Sequence, residues 1–284
     1  GLRCDMAMLL LPDIFREIWK DYPPTASTLA RSGFWNEAIA KVKQGHPGAE
    51  LIAEAYWGRE AELQELGFDF TYNKRVTDML TRGEITTLCE YLPQCAQGYL
   101  ARSVHFLENH DEPRAASLFK IPFHKTAALL ILSLPGMALL HDGQLQGWRE
   151  FARIQMSKRP PENPDPELSS YYSKLLTTLS ESQLREGKPE ILQPEPIYSG
   201  ETSFQNGIAV RWSERKGRLH FALFNLSESP VRFQVPCATG AGFHPEFIFG
   251  TGAVPSASIR TQENRLICEI PPCSGDIWRF HQRI

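Results

Sequence analysis

Five short segments constrain this chain more than anything else in it. Each is apolar, rich in residues suited to strands, and closed by polar or charged residues: LRCDMAM (2–8), AELIAEAYW (49–57), FDFTYNK (68–74), SVHFLENHD (103–111) and GMALLHDG (136–143). The stretches between them carry helical periodicity. FWNEAIAKVKQG (34–45) sets Trp35, Ile39 and Val42 on one face and stops at Gly45 before Pro47, a normal helix ending. VTDMLTRGEITTLCEYL (76–92) and FHKTAALLILSL (123–134) read as further helices. Residues 166–187 read as another, starting at Pro166 and ending at Gly187. Alternating strand and helix is the signature of parallel α/β units, here of roughly 37 residues each.

After residue 187 the texture changes. Short strand-like runs at 207–214, 218–226, 231–236, 247–252, 265–270 and 276–281 are separated by turn residues, the pattern of an antiparallel β-sandwich. The Pro-rich stretch 188–194 reads as the linker. It divides the chain into an α/β unit over residues 1–190 and an all-β unit over 191–284.

In LRCDMAM, Arg3 and Asp5 lie two apart, so a strand points both to the same side. Burying charge without a partner costs several kcal/mol, so a core-like strand with two charges on one face needs a reason. Other charged residues also sit where the segments end: Glu54, His110 with Asp111, and His141 with Asp142. In parallel barrels that end carries the active site. Two carboxylates flanking a bond are what glycosidic cleavage uses, one as nucleophile or base and one as acid. A single acid at a strand end is more often a cap or a salt-bridge member. Acids at three strand ends, with Arg3 and His110 beside them, call for a shared explanation.

These residues resemble the motifs of glycoside hydrolase family 13, the α-amylase family. GLRCDMAM resembles the family's strand-four motif, LIAEAYW (51–57) its strand-five motif, and FLENHDEPR (106–114) its strand-seven motif; PGMALLHDGQ (135–144) looks like the strand-eight segment. The resemblance implies a partial TIM (β/α)8 barrel, strands four to eight, followed by a C-terminal β domain. It implies that Asp5 is the nucleophile, Glu54 the general acid/base and Asp111 the transition-state stabiliser. Arg3 would hold Asp5 ionised, and His110 would bond the sugar where cleavage occurs. The nucleophile would keep a low pKa beside a guanidinium. The acid would be raised by the apolar Leu51, Ile52, Ala53 and Ala55 around Glu54. Carboxyl groups about 5–5.5 Å apart imply retention of anomeric configuration. Trp57, Tyr72 and Asp142 are further candidates for substrate contact, with Tyr56, Trp148, Asn73 and Lys74 behind them. His105 and His124 read as structural, Cys4 as facing away from the site, and Lys158 and Arg159 as a solvated loop.

Nothing in the chain resembles family strands one to three. The missing N-terminal part of the barrel is therefore an expected partner, and the chain alone is expected to be inactive or unstable. The implied substrate is an oligosaccharide or α-glucan, with hydrolysis and transfer both open. A non-catalytic homologue, used for carbohydrate binding or as a protein partner, is the alternative. Such relatives usually lose an acid, and Asp5, Glu54 and Asp111 are all present. No HxH or HExxH spacing points to a metal hydrolase; no cofactor is expected, and these residues do not support calcium. A formal net charge of -3 over 284 residues gives no case for nucleic acid or an anionic membrane. The longest apolar run, 127–140, is interrupted by Pro135 and Gly136 and is too short to span a bilayer. The scattered cysteines contain no CxxC pair, which points to reduced thiols and a cytoplasmic protein.

Overall fold

The computed structural model describes residues 1–21, 33–153, 158–182, 184–214, 218–237 and 243–282. Each of the five segments holds one strand of a parallel sheet: β1 Leu2–Cys4, β2 Leu51–Ala53, β3 Phe70–Tyr72, β4 Ser103–His105 and β5 Met137–Ala138. The strands lie in chain order, every neighbour parallel. Between and after them run α1 Pro12–Ile18, α2 Phe34–Gly45, α3 Glu60–Glu65, α4 Lys74–Arg82, α5 Ile85–Gln94, α6 Gln97–Ala101, α7 Ala115–Leu118, α8 Ile121–Ser133 and α9 Pro166–Ser182. Strand alternation sorts the side chains onto two faces. Leu51 and Ala53 pack with Leu11, Ile39 and Leu63 on the helix side. Ile52, Phe70, Tyr72, Val104, Phe106 and Met137 form a cluster on the other side.

The helix expected over 76–92 is two helices. α4 stops at Gly83, which takes a left-handed φ of 69° that glycine adopts without steric cost. α5 then begins at Ile85. The helix expected to reach residue 187 ends as α9 at Ser182, and Leu184–Glu186 form a separate 3-10 turn.

Beyond it come β6 Lys188–Leu192, β7 Gly207–Ser213, β8 Leu219–Asn225, β9 Val231–Pro236, β10 Phe243–Gly250, β11 Ser258–Gln262, β12 Arg265–Ile270 and β13 Ser274–Gln282. They build two antiparallel sheets, β10-β13-β8-β7-β6 and β11-β12-β9, closed on Phe221, Leu223, Phe233, Val235, Leu266 and Phe280. The stretch read as a linker contains β6, which pairs with β7 from Lys188 opposite Ser213 to Leu192 opposite Ala209.

α8 explains why the two halves do not separate. It is buried on all sides from His124 to Ser133 apart from the partly exposed Lys125, as a helix apolar all round must be. Its leucines share one core with Ile208, Val210, Trp212, Phe224 and Ile277 of the antiparallel sheet. The Trp212 Nε1–H donates to the Ser133 carbonyl at 3.0 Å. Among the described residues, no helix is long and apolar enough to cross a membrane.

Three histidines lie inside this core system. His105 Nε2 donates to the Pro135 carbonyl at 2.9 Å, His124 meets the Tyr172 hydroxyl at 2.9 Å, and His220 is fully buried. Burial pushes each ring down to about 4. The unfolded chain therefore binds three more protons once the pH drops below the ordinary histidine value. Their stabilisation is complete above about pH 6.5 and is lost as the pH falls toward 4. Asp276 acts oppositely: burial raises its carboxyl to about 6, so it costs stability as the pH rises between its ordinary value of 3.8 and 6. Burial also raises Glu60 above its ordinary 4.5, and three groups still outweigh two. Stability by urea unfolding is predicted to fall between pH 6.5 and 4.5, by up to about 1.4 kcal/mol per pH unit for each net titrating group. A flat profile over that range would refute this.

Candidate active site

The site begins where β1 ends. Alternation turns Cys4 into the helix-side core and sends Arg3 and Asp5 together to the other face. The Arg3 fork then spans two carboxylates, Nη1 donating to Asp5 Oδ1 at 2.5 Å and Nη2 to Glu54 Oε1 at 2.6 Å. Glu54 follows β2 and is 1% exposed. It also accepts the Met6 amide at 2.8 Å and the Tyr56 hydroxyl at 2.9 Å. Met6 can aim its N–H there because its backbone is left-handed, φ 41°. Burial, reinforced by the Glu54 carboxylate, raises the Tyr56 phenol above its ordinary value, so it stays a donor.

Glu54 therefore does not have the apolar setting expected of it. Its sequence neighbours Ala53 and Ala55 point to the helix-side core, while its own carboxylate meets three donors. Asp5 differs sharply, with its side chain 77% exposed. Burial works against the Arg3 charge, but hydrogen bonds to Tyr72 and Asp5 and the Glu54 carboxylate outweigh it and raise its pKa.

Tyr72 sits beneath that guanidinium, its ring centroid 5.6 Å from Arg3 Cζ and 5.2 Å from the Phe106 ring. It is 4% exposed. A buried ring cannot stack on a sugar, so the expected substrate contact is corrected: Tyr72 is a platform for Arg3. Asp111 and His110 come from the loop after β4, half-exposed and 3.2 Å apart. One ligand atom each from Glu54, His110 and Asp111 lies within 4.8 Å of the others. A cation there would face the Arg3 charge already on Glu54, which disfavours it.

The loop carrying His110 and Asp111 is fixed by a pair the sequence reading passed over. Glu108 and Arg114 are both buried, and Arg114 Nη1 donates to Glu108 Oε1 at 2.6 Å. The other Glu108 oxygen accepts the Ala115 amide at 2.7 Å. Arg114 also reaches the loop after β5, contacting His141 Nδ1 and the Asp142 carbonyl, each at 2.7 Å. The visible signal was two charges of opposite sign flanking His110 and Asp111 inside FLENHDEPR.

Asp142 is not brought to the acids. Its carboxylate is 88% exposed and pairs with Arg159 at 3.6 Å, so it is corrected to a rim residue. Arg159 in turn lies over the Trp148 ring, 3.0 Å from its centroid, and is not simply solvated. Trp57 is 64% exposed with a left-handed φ of 62°, presented to solvent beside Tyr56. Asn73 is buried at the start of α4, and Lys74 pairs with Asp78 and Glu112.

No family model and no curated protein sequence matches the chain. Solved structures do. The α-amylase of H. orenii matches with a TM-score of 0.65 over 99% of this chain and 61% of its own, at 18% identity. A noncanonic maltogenic α-amylase from Thermotoga neapolitana matches at 0.65 over 100% and 62%, at 18% identity. A debranching enzyme from Nostoc punctiforme matches at 0.67 over 98% and 57%, at 17% identity. The chain resembles the α-amylase family in three dimensions from end to end: it has the fold of these structures and spans about three fifths of their length.

Removing Arg114 leaves Glu108 buried without its main partner. Arg114→Met is predicted to lower stability in urea unfolding by about 3–5 kcal/mol, the usual size for a broken buried pair. The double variant Glu108→Met with Arg114→Met should recover most of that loss. Equal losses in the single and double variants would show that the pair does not hold these loops.

Proposed function

We propose that the parallel sheet is strands four to eight of a (β/α)8 barrel and that its carboxyl end cleaves or transfers α-glucosidic linkages with retention. The observation that carries this reading is the single guanidinium of Arg3 held between the carboxylates of Asp5 and Glu54. Likeness in fold to α-amylases and a debranching enzyme supports the class of substrate, an oligosaccharide or α-glucan.

In this reading the Asp5 carboxylate attacks the anomeric carbon while Glu54, which must give up one of its three donors to carry a proton, passes that proton to the leaving glycosidic oxygen. The bond between sugar and leaving group breaks as the Asp5 ester forms. Glu54, now a carboxylate, takes a proton from water or from an acceptor hydroxyl, whose oxygen displaces Asp5. The two acids suit different tasks: Asp5 is accessible to a ring carbon, and Glu54 is fixed from three sides, which sets its aim. Asp111 and His110 lie where charge and hydroxyls of the reacting sugar would fall, and Trp57 offers an open face for a neighbouring unit. The remaining strands of the barrel are the partner this reading requires, to cover the face of the sheet that carries Ile52, Phe70 and Val104.

A mechanism-based fluorosugar is predicted to label Asp5 in the full-length protein, as read by peptide mass spectrometry. Glu54→Gln should cut turnover of a maltooligosaccharide by roughly 10²–10⁴-fold. A label on another residue, or a product of inverted configuration, would remove these assignments.

A further inference from the structure

Three donors converge on Glu54, and they are not alike. Oε1 takes two of them, Arg3 Nη2 at 2.6 Å and the Tyr56 hydroxyl at 2.9 Å, and Oε2 takes the Met6 amide at 2.8 Å. All three suit a carboxylate, which only accepts; a carboxylic acid must also give a hydrogen. A group that passes a proton on therefore needs one of its donors to yield. The Met6 N–H belongs to a backbone tied down on its far side, where the Ala7 amide donates to the Glu54 carbonyl at 2.9 Å. Arg3 has no lone pair to offer, and Asp5 and the Tyr72 ring hold it in place. A phenol hydroxyl both gives and accepts, and its hydrogen turns about the C–O bond. The Tyr56 ring packs against the helix-side core, so it stays still while that hydrogen moves. The charged groups around the pair are Arg3 and Asp5 at the end of β1, and His110, Asp111 and Glu112 after β4, with Lys74 on Glu112 at 3.1 Å. The Asp111 and Glu112 charges reach the phenol, so a hydrogen turned away from Glu54 has acceptors to turn to. Burial and the Glu54 charge keep the phenol protonated, and the hydroxyl retains its own hydrogen throughout.

We propose that Tyr56 is a positioning residue whose hydrogen bond reverses with the proton on Glu54: it donates to Oε1 of the carboxylate and accepts from Oε1 of the acid. When the Glu54 O–H bond breaks and its proton passes to the leaving glycosidic oxygen, the electron pair stays on Oε1. The Tyr56 hydrogen then turns back to that oxygen. Water or an acceptor hydroxyl later returns a proton to Oε1, and the hydroxyl reverses again. The bond to the carboxylate forms as the step proceeds, so it stabilises the transition state more than the ground state. The inference rests on the function proposed above and adds to it the residue that holds Glu54 in both its acid and its base state.

The test is Tyr56→Phe in the full-length protein, with kcat/KM followed across pH on two substrates. Maltotetraose needs a proton on its leaving group; α-maltosyl fluoride loses fluoride without one. On maltotetraose the variant is expected to lose roughly three- to tenfold, because the proton is part-transferred when the missing bond would form. Its alkaline limb should move up by about one pH unit, since a carboxylate short of one donor forms at higher pH. On the fluoride the loss should stay under about twofold. Tyr56→Met, which also lacks the hydroxyl, is read in the same way should Tyr56→Phe not fold. Equal losses on both substrates with an unmoved alkaline limb, or no loss on either, would overturn the role of Tyr56. The proposed function then stands if Glu54→Gln still cuts maltotetraose turnover. A Glu54→Gln variant with wild-type turnover would overturn both.

Discussion

A carboxylate taken out of water is costly unless a cation and well-placed hydrogen bonds replace its hydration, and the carboxyl end of the parallel sheet buries two, Glu54 and Glu108. Asp5, Asp111 and Glu112 crowd the same rim. Three basic side chains make this tolerable. Arg3 spans Asp5 and Glu54, Arg114 meets Glu108, and Lys74 joins Glu112 to Asp78. Each cation links groups far apart in sequence, so the pairs fix loop positions as well as charge. Arg114 ties the loop after β4 to the loop after β5. Arg3 does the same for the ends of β1 and β2. The arrangement of the candidate site is thus a consequence of neutralising the rim.

The antiparallel sheets depend on a different constraint. α8 has no polar face to give to solvent, so something apolar must lie on each side of it. The inner face of β7, β8 and β13 supplies the second side, through Trp212, Phe224 and Ile277. Topology makes two units, but packing joins them through one shared cluster. A boundary drawn in sequence at the prolines is a change of secondary structure and not a break in the interior.

Period-two alternation made much of this legible. Apolar, strand-suited runs closed by charged residues marked all five parallel strands, while alternation placed Arg3 and Asp5 on a common face and sent Cys4 to the other. What stayed hidden came from contacts that no local pattern encodes. Glu54 was read from its flanking alanines, yet the residues beside it in a strand are those that point away from it. Tyr72 was read as an open aromatic because strand ends border the cleft, but Phe106 and Arg3 close over it. Asp142 shared the strand-end position of the true rim pairs, and only the three-dimensional course of its loop turns it toward Arg159. The break at Gly83 was visible as a glycine within a helical run, where one residue with a left-handed backbone outweighs the periodicity around it.

The contrast between Asp5 and Glu54 is the step that joins fold to chemistry. Both are carboxylates, both touch Arg3, and they differ in exposure and in the number of donors that hold them. Two-carboxylate chemistry needs such a division, because one group must reach a carbon while the other must keep its aim on an oxygen. Here the division follows from where each residue falls in its strand. Asp5 follows β1 and takes one hydrogen bond there, from Arg3. Glu54 follows β2, where the turn after β1 brings the Met6 amide onto it and Tyr56 folds its hydroxyl back to it. The unequal environments of the two acids therefore come from what surrounds each strand end, three donors at Glu54 and one at Asp5.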